Sequence, residues 1–256
     1  MAKIIALVNQ KGGVAKTTTA NALAFGLVRS GKKVLLIDMD PQGNLTNSCG
    51  LEVDGEYPPV LKFLKIIPNV CFEGPVPITD KLDLIGSSIG LETANIILGG
   101  KPCREQYLKR AIDSYKNKYD YIIIDSNPSL SVITLNVLAA CEEIIVPFKP
   151  EFNSESGVAM LLDTIEDMKF INHDLKIRGF LVTMVDSRRK STQSGIAYIK
   201  EKAEKCNSKV YDATIRMSVY AADAPKVGLS LYDYKGDSNV AKDYAAFVNE
   251  FLNEEV

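Results

Sequence analysis

Two lysines, two glycines and two threonines crowd into one stretch, Lys11-Gly12-Gly13-Val14-Ala15-Lys16-Thr17-Thr18. Such a stretch offers backbone N–H groups to wrap an anion, an ammonium to neutralise it and a hydroxyl to reach a metal. The chemistry that uses all three is the grip of a phosphate chain together with magnesium. The phosphate-loop spacing G-x-x-x-x-G-K-[ST] is matched incompletely, because Lys11 stands where a small residue is usual and Ala15 replaces the final glycine. Carboxylates follow in Asp38-Met39-Asp40-Pro41-Gln42-Gly43 and at Asp125, after Tyr121-Ile122-Ile123-Ile124. Magnesium takes oxygen ligands, keeps several waters and bridges phosphate oxygens. Thr17 is therefore expected as its direct ligand, with Asp125 holding metal-bound water and Asp38 sharing that task. Asp40 is expected to position an attacking water, and Lys16 to neutralise charge on the β- and γ-phosphate oxygens.

These groups can act together only if regular elements bring them to one place. Lys3–Val8 is a short apolar run leading into the glycine loop, Thr17–Ser30 is helix-compatible, and Gly31 suits that helix's C-cap. Lys33–Ile37 then reads as a second buried strand, which makes the opening segment a parallel βαβ unit. Residues 51–100 carry Pro58, Pro59, Pro68, Pro75 and Pro77 and yield only a strand at Leu82–Ile85 and a helix near Gly90–Leu98. Tyr107, Leu108, Ala111, Ile112 and Tyr115 fall at helical spacing between Arg104 and Tyr115, ahead of a strand at Tyr119–Ile124. Further on come a strand at Glu143–Val146, a helix through Val158, Leu161, Leu162 and Ile165, and a strand at Ile177–Val185. The alternation predicts an α/β fold, a doubly wound, mostly parallel sheet with helices on both faces, with residues 1–256 as a single domain. In such a sheet all three motif segments leave at the carboxyl edge, where ligands bind.

Composition narrows the alternatives. The 256 residues are 46% hydrophobic and 24% charged, which excludes disordered and fibrous classes. Thirty basic against thirty-two acidic residues leave a formal charge of −2, so any nucleic-acid contact must be local. The five cysteines (Cys49, Cys71, Cys103, Cys141, Cys206) form no C-x-x-C pair, which argues against a zinc cage or a disulfide scaffold. His173, the sole histidine, lies in a polar loop and is expected at the surface, giving little support to protease or esterase chemistry. No cleavable leader and no apolar run of membrane-spanning length occur, so a cytoplasmic location is expected. The first strand begins at Lys3, so no additional N-terminal DNA-binding domain is expected.

Beyond these residue-level readings, NQKGGVAKTTTANALA, VLLIDMDPQGNLT and YDYIIIDSNPSL resemble the three nucleotide motifs of the ParA/Soj deviant-Walker ATPases of the ParA/MinD superfamily. The likeness extends through EIIVPFKPEFNSESGVAMLLDTI, GFLVTMVDSR and ADAPKVGLSLYDYKGDSNVAKDYAAFVNEF, nearly the whole chain. The resemblance implies ATP and Mg2+ as cofactors, an ATP-dependent homodimer, and Lys11 reaching the partner subunit's nucleotide. It further implies a weak ATPase of plasmid or chromosome partitioning, stimulated by a ParB-type partner, with non-specific DNA as its track and hence a place on the nucleoid. By the same resemblance the nucleotide is held by Lys11, Gly12, Gly13, Val14, Ala15, Lys16, Thr17 and Thr18, with adenine contacts from Val185-Asp186 and Ile215–Tyr220. Three departures stand out. Ala15 puts a methyl where glycine is normal and is expected to strain the loop and slow turnover. Asn127 replaces the usual first proline after the third aspartate, predicting a less rigid loop. Met217 and Tyr220 fall where arginines are expected.

The best local supply of positive charge for DNA is Lys176, Arg178, Arg188, Arg189 and Lys190, with Arg216 and Lys226 as additions. The residues assigned to DNA are Arg188, Arg189, Lys190 and Arg216. A MinD-like membrane role is not expected, because Asp243–Val256 carries acids and no basic residue on its helical pattern, and its apolar side chains are read as packing on the core. An iron–sulfur reductase would need Cys103 and Cys141 to bridge a cluster, and a GTPase would need an N-K-x-D motif that is absent. The alternative of another class is a nucleotide-switched positioning or regulatory adaptor that does not use DNA.

Overall fold

Strand side chains alternate between two apolar layers, and this alternation explains why the strands read as continuous apolar runs. Ile4, Ala6 and Val8 enter one core while Ile5 and Leu7 enter the other. The structure, a computed structural model, describes residues 1–53, 55–151, 154–186 and 190–254, without the side chains of Ser154, Lys190 and Ser191. Its strands are β1 (Lys3–Leu7), β2 (Val34–Met39), β3 (Val76–Thr79), β4 (Leu82–Ile85), β5 (Tyr121–Ser126), β6 (Glu143–Phe148) and β7 (Lys176–Val182). The helices are α1 (Lys16–Arg29), α2 (Asn44–Ser48), α3 (Pro59–Phe63), α4 (Thr93–Gly99), α5 (Tyr107–Ile112) and α6 (Val132–Ala140). They continue with α7 (Ser154–Met168), α8 (Lys190–Lys205), α9 (Val219–Asp223), α10 (Leu231–Lys235) and α11 (Asn239–Asn253).

The seven strands form one sheet in the order β3-β4-β2-β5-β1-β6-β7. All neighbours run parallel except β3 and β4. This is the doubly wound sheet that the alternation predicts, with an antiparallel edge at β3 that it does not. Pro77 sits within β3, where an edge position spares the missing N–H a ladder partner. Register aligns the functional ends: Asp125 pairs with Leu7 on one side and with Asp38 on the other.

The two faces are covered differently. Phe63, Leu108, Val137, Leu161 and Ile199 belong to the core that holds Ile4, Ala6 and Val8. Leu23, Leu27, Tyr244, Phe247 and Phe251 belong to the other, so the C-terminal apolar stripe of α11 does pack inward. The approach of α1 to α11 is close enough that a Cβ on Gly26 would lie 2.6 Å from Val248 Cγ2. The helix expected over Arg104–Tyr115 contracts to α5, and that expected near Gly90–Leu98 splits into a 3-10 turn, Ile89–Glu92, followed by α4. The strand expected to run to Val185 stops at Val182.

Candidate nucleotide and magnesium site

The glycine loop is braced from both sides by side chains of its surroundings. Asn9, just past β1, donates its Nδ2 to the Pro147 carbonyl (2.7 Å) and accepts the Lys11 N–H on Oδ1 (2.9 Å). Thr183, beyond β7, donates its hydroxyl to the Val14 carbonyl at 3.0 Å, and Val14 itself is buried. Within the loop Gly13 and Ala15 take left-handed backbone, at φ 69° and 65°. For Gly13 this is free, whereas Ala15 bears the crowding of its Cβ against the carbonyl, as the sequence predicts for a methyl at that place. The turn delivers Lys16 to the start of α1, where its ammonium curls back to the Lys11 carbonyl at 3.2 Å. Burial pulls Lys16 below the usual lysine range, against the attraction of Asp125 and Asp40.

Across from α1, the Thr17 hydroxyl donates to Asp125 Oδ2 at 2.6 Å. The other oxygen of Asp125 is buried and has no hydrogen-bond partner. Burial first, and the nearby Asp38 charge second, push this carboxyl well above the usual carboxylate range. A buried carboxylate with an orphaned oxygen beside a hydroxyl is a site that a hard cation would relieve, and the donor set is all oxygen, as magnesium requires. Among the described residues no group of three or more His, Cys, Asp or Glu side chains could cage a metal.

Asp38 is anchored by the loop that follows it. Fully buried, it accepts the Asp40 N–H on Oδ1 (3.1 Å) and both the N–H (2.9 Å) and the hydroxyl (2.7 Å) of Thr46 on Oδ2. Burial raises it to about 6 despite these donors. Both oxygens thus take hydrogen bonds inside the protein, where the residue organises the loop that presents Asp40. Asp40 caps that loop by accepting the Gln42 N–H at 3.0 Å. Gly43 follows at φ 64°, and a Cβ there would meet the Ser87 carbonyl at 2.9 Å.

Gly12, Gly13, Ala15, Lys16, Thr17, Thr18 and Asp40 line one cleft of about 620 Å3, walled on the far side by Met184, Ile215, Met217 and Pro225. The two loops expected near adenine are joined there, Val185 N–H donating to the Ile215 carbonyl (2.9 Å) and Met217 N–H to the Val185 carbonyl (3.3 Å). Asp186 is not in the lining; Met184, held at φ 53°, occupies the wall instead. Gln42, Asn44, Asn47 and Lys226 also line the cleft and carry no sequence signature that would single them out. Asn127, where a proline is usual, is hydrogen-bonded within its loop: its Nδ2 donates to Ser129 Oγ (2.8 Å) and its Oδ1 accepts from Thr134 (2.5 Å).

Lys11 projects from the loop to Glu151 Oε1 at 2.7 Å, and Lys149 holds the other oxygen of Glu151 at 2.8 Å. The basic supply is partly consumed elsewhere. Arg178 is buried against Glu143, Lys176 also pairs with Glu143, and Lys226 pairs with Asp223. Arg216 donates Nε and a terminal nitrogen to the two oxygens of Asp243, at 2.7 and 2.9 Å. Arg188 and Arg189, and the side chain of Lys190, lie outside the described residues. Met217 and Tyr220 are exposed, as is Val219 between them. His173 is exposed, and Cys141 is buried while Cys103 is exposed. No described helix is long and apolar enough to cross a membrane.

Comparison with known proteins agrees with this geometry. Residues 2–177 match a family model described as an AAA domain. The chain is 39% identical over 251 residues to the sporulation initiation inhibitor protein Soj of Bacillus subtilis, covering 98% of each. It is 36% identical over 253 residues to the chromosome-partitioning ATPase Soj of Treponema pallidum, again covering 98% of each. In fold it is similar to the crystal structure of cobyrinic acid a,c-diamide synthase from Mycobacterium smegmatis with bound ATP analogue and magnesium. The TM-score is 0.82 at 32% identity, over 99% of this chain and 96% of that one.

Proposed function

The chain belongs to the Soj/ParA class of AAA-domain proteins in the ParA/MinD superfamily, and on that premise we propose that it is a Mg-ATP-dependent, dimerising ATPase of chromosome or plasmid partitioning. The observation that carries the reading is the hydrogen bond from Thr17, which lines the same cleft as Lys16 and Asp40, to Asp125, whose other carboxylate oxygen is buried without a hydrogen-bond partner. In this reading residues 1–256 act as one ATPase domain. The loop amides and Lys16 bind the phosphates, Thr17 and Asp125 hold the metal, and Met184, Ile215 and Met217 supply an apolar wall for the base. Magnesium, when bound, neutralises charge on the β- and γ-phosphate oxygens. Asp40, presented by the Asp38–Thr46 anchor, orients the attacking water, and Lys11 reaches across to a second subunit's nucleotide. Turnover is slow because Ala15 strains the loop that must close on the phosphates.

Loss of nucleotide binding in Lys16→Ala, and retained binding with a fall of at least tenfold in turnover in Asp40→Ala, are the expected outcomes by equilibrium binding and phosphate release. An Asp40→Ala protein that hydrolyses ATP at the original rate would remove the water-positioning role.

The finer parts of the reading are a ParB-type activator and non-specific DNA as track, with the cytoplasm and the nucleoid as location. They are supported by the name of the Treponema relative and by the basic run Arg188-Arg189-Lys190. A salt-sensitive gel shift with ATP that is lost in Arg188→Ala/Arg189→Ala is expected; no shift with either protein would sink DNA binding. The second reading, an adaptor switched by nucleotide without DNA, is favoured by one set of observations. Arg216 is neutralised by Asp243, Arg178 is buried, and Met217, Val219 and Tyr220 present an apolar surface where arginines are expected.

A further inference from the structure

We propose that Glu151 sets the ATP concentration at which two subunits pair, by competing with the partner's nucleotide for the amine of Lys11. The inference rests on the proposed crossing of Lys11 and adds its regulation. Lys11 Nζ lies 2.7 Å from Glu151 Oε1 within one subunit. The Asn9 side chain receives the Lys11 N–H and donates to the Pro147 carbonyl, so the loop carrying Lys11 is tied to the end of β6, from which the segment carrying Glu151 leaves. The Glu151 N–H in turn donates to the Lys149 carbonyl at 2.9 Å. An ammonium offered to another subunit's phosphates must first leave this carboxylate.

Lys149 tunes the competition. It holds Glu151 Oε2 at 2.8 Å, so one carboxylate serves two ammonium groups. Hydrogen bonds from Lys11 and from Lys149 together hold the Glu151 carboxyl below its ordinary range. Removing the Lys149 amine leaves Glu151 to Lys11 alone and strengthens the hold. Removing the Glu151 charge takes away this competitor for Lys11. With side chains 28% and 32% exposed the Lys11–Glu151 pair is partly screened, and such pairs shift an equilibrium roughly two- to fivefold. A symmetric dimer opens two of them, so the association constant should move on the order of tenfold.

The test is dimer mass against concentration of adenylyl imidodiphosphate with magnesium, by light scattering, for wild type, Glu151→Gln, Lys149→Met and the double variant. Glu151→Gln should pair at lower nucleotide concentration, Lys149→Met at higher, and the double variant should follow Glu151→Gln, all with unchanged ADP affinity and unchanged melting temperature. The proposal is overturned by a Glu151→Gln curve that stays put or moves to higher concentration, or by Lys149→Met moving the same way as Glu151→Gln. A wild type that stays single at saturating nucleotide overturns the crossing of Lys11 itself, and so is distinguishable from failure of the competition alone.

Discussion

Ala15 is the residue whose chemistry and backbone disagree most openly. Its φ of 65° belongs to glycine's territory, and the methyl costs about 1 kcal/mol there. Ala15→Gly is accordingly expected to raise the melting temperature by about 2–4 °C and to speed turnover, checked by thermal unfolding and steady-state hydrolysis. An unchanged rate would assign slow chemistry to some other cause. The spacing of Lys16, Thr17, Asp40 and Asp125 is legible because phosphate and magnesium chemistry demands those residue types after strand ends. The anchoring of Asp38 by its own loop is not, because only the fold brings Thr46 to donate to it twice. Met184 is illegible for a similar reason: nothing in an apolar side chain announces a left-handed backbone.

At the scale of elements, the strands flanked by glycine or polar turns were readable from their apolar runs, and β4 matches Leu82–Ile85 residue for residue. The missing pieces are short: α2, α3 and β3 span five, five and four residues. Elements of one turn hold no period to detect and are formed by tertiary packing, as with Val60, Leu61 and Phe63 of α3 in the core. Between β6, β7 and α11, Arg178 joins three elements, donating to Glu143 and to the Phe251 carbonyl (2.8 Å) and lying over the Phe251 ring at 4.0 Å. Arg178→Met leaves the Glu143 carboxylate largely buried with only Lys176 beside it, and should destabilise by about 3 kcal/mol near neutral pH in denaturant titrations. Burial alone would raise Glu143, but hydrogen bonds from Arg178 and Lys176 outweigh it and hold it below the usual carboxylate range. A depressed carboxyl contributes stability that is present above its unfolded value and lost as pH falls through the folded one. The gap between wild type and Arg178→Met should therefore narrow in acid; a gap independent of pH would mean the loss is packing and not charge.

For the molecule as a whole, the sheet order places β1 between β5 and β6, so the glycine loop leaves from an interior strand with carboxylates on one side and Glu151 on the other. One edge thus carries the glycine loop with both of its lysines. Low net charge and the pairing of Arg216 and Arg178 make Arg188, Arg189 and Lys190 the basic run on which the proposed DNA contact rests. The extra lysine was visible in the sequence as an odd choice, but its resting carboxylate was not, since Lys11 and Glu151 lie far apart along the chain and meet only because β1 and β6 are neighbours.

Light scattering of Lys11→Ala against wild type, each with magnesium and a non-hydrolysable ATP analogue and each first shown to bind nucleotide, bears most directly on that arrangement. Doubling of the wild-type mass with the variant remaining a single subunit is the predicted result. Equal doubling in both proteins would contradict a lysine that acts across the interface.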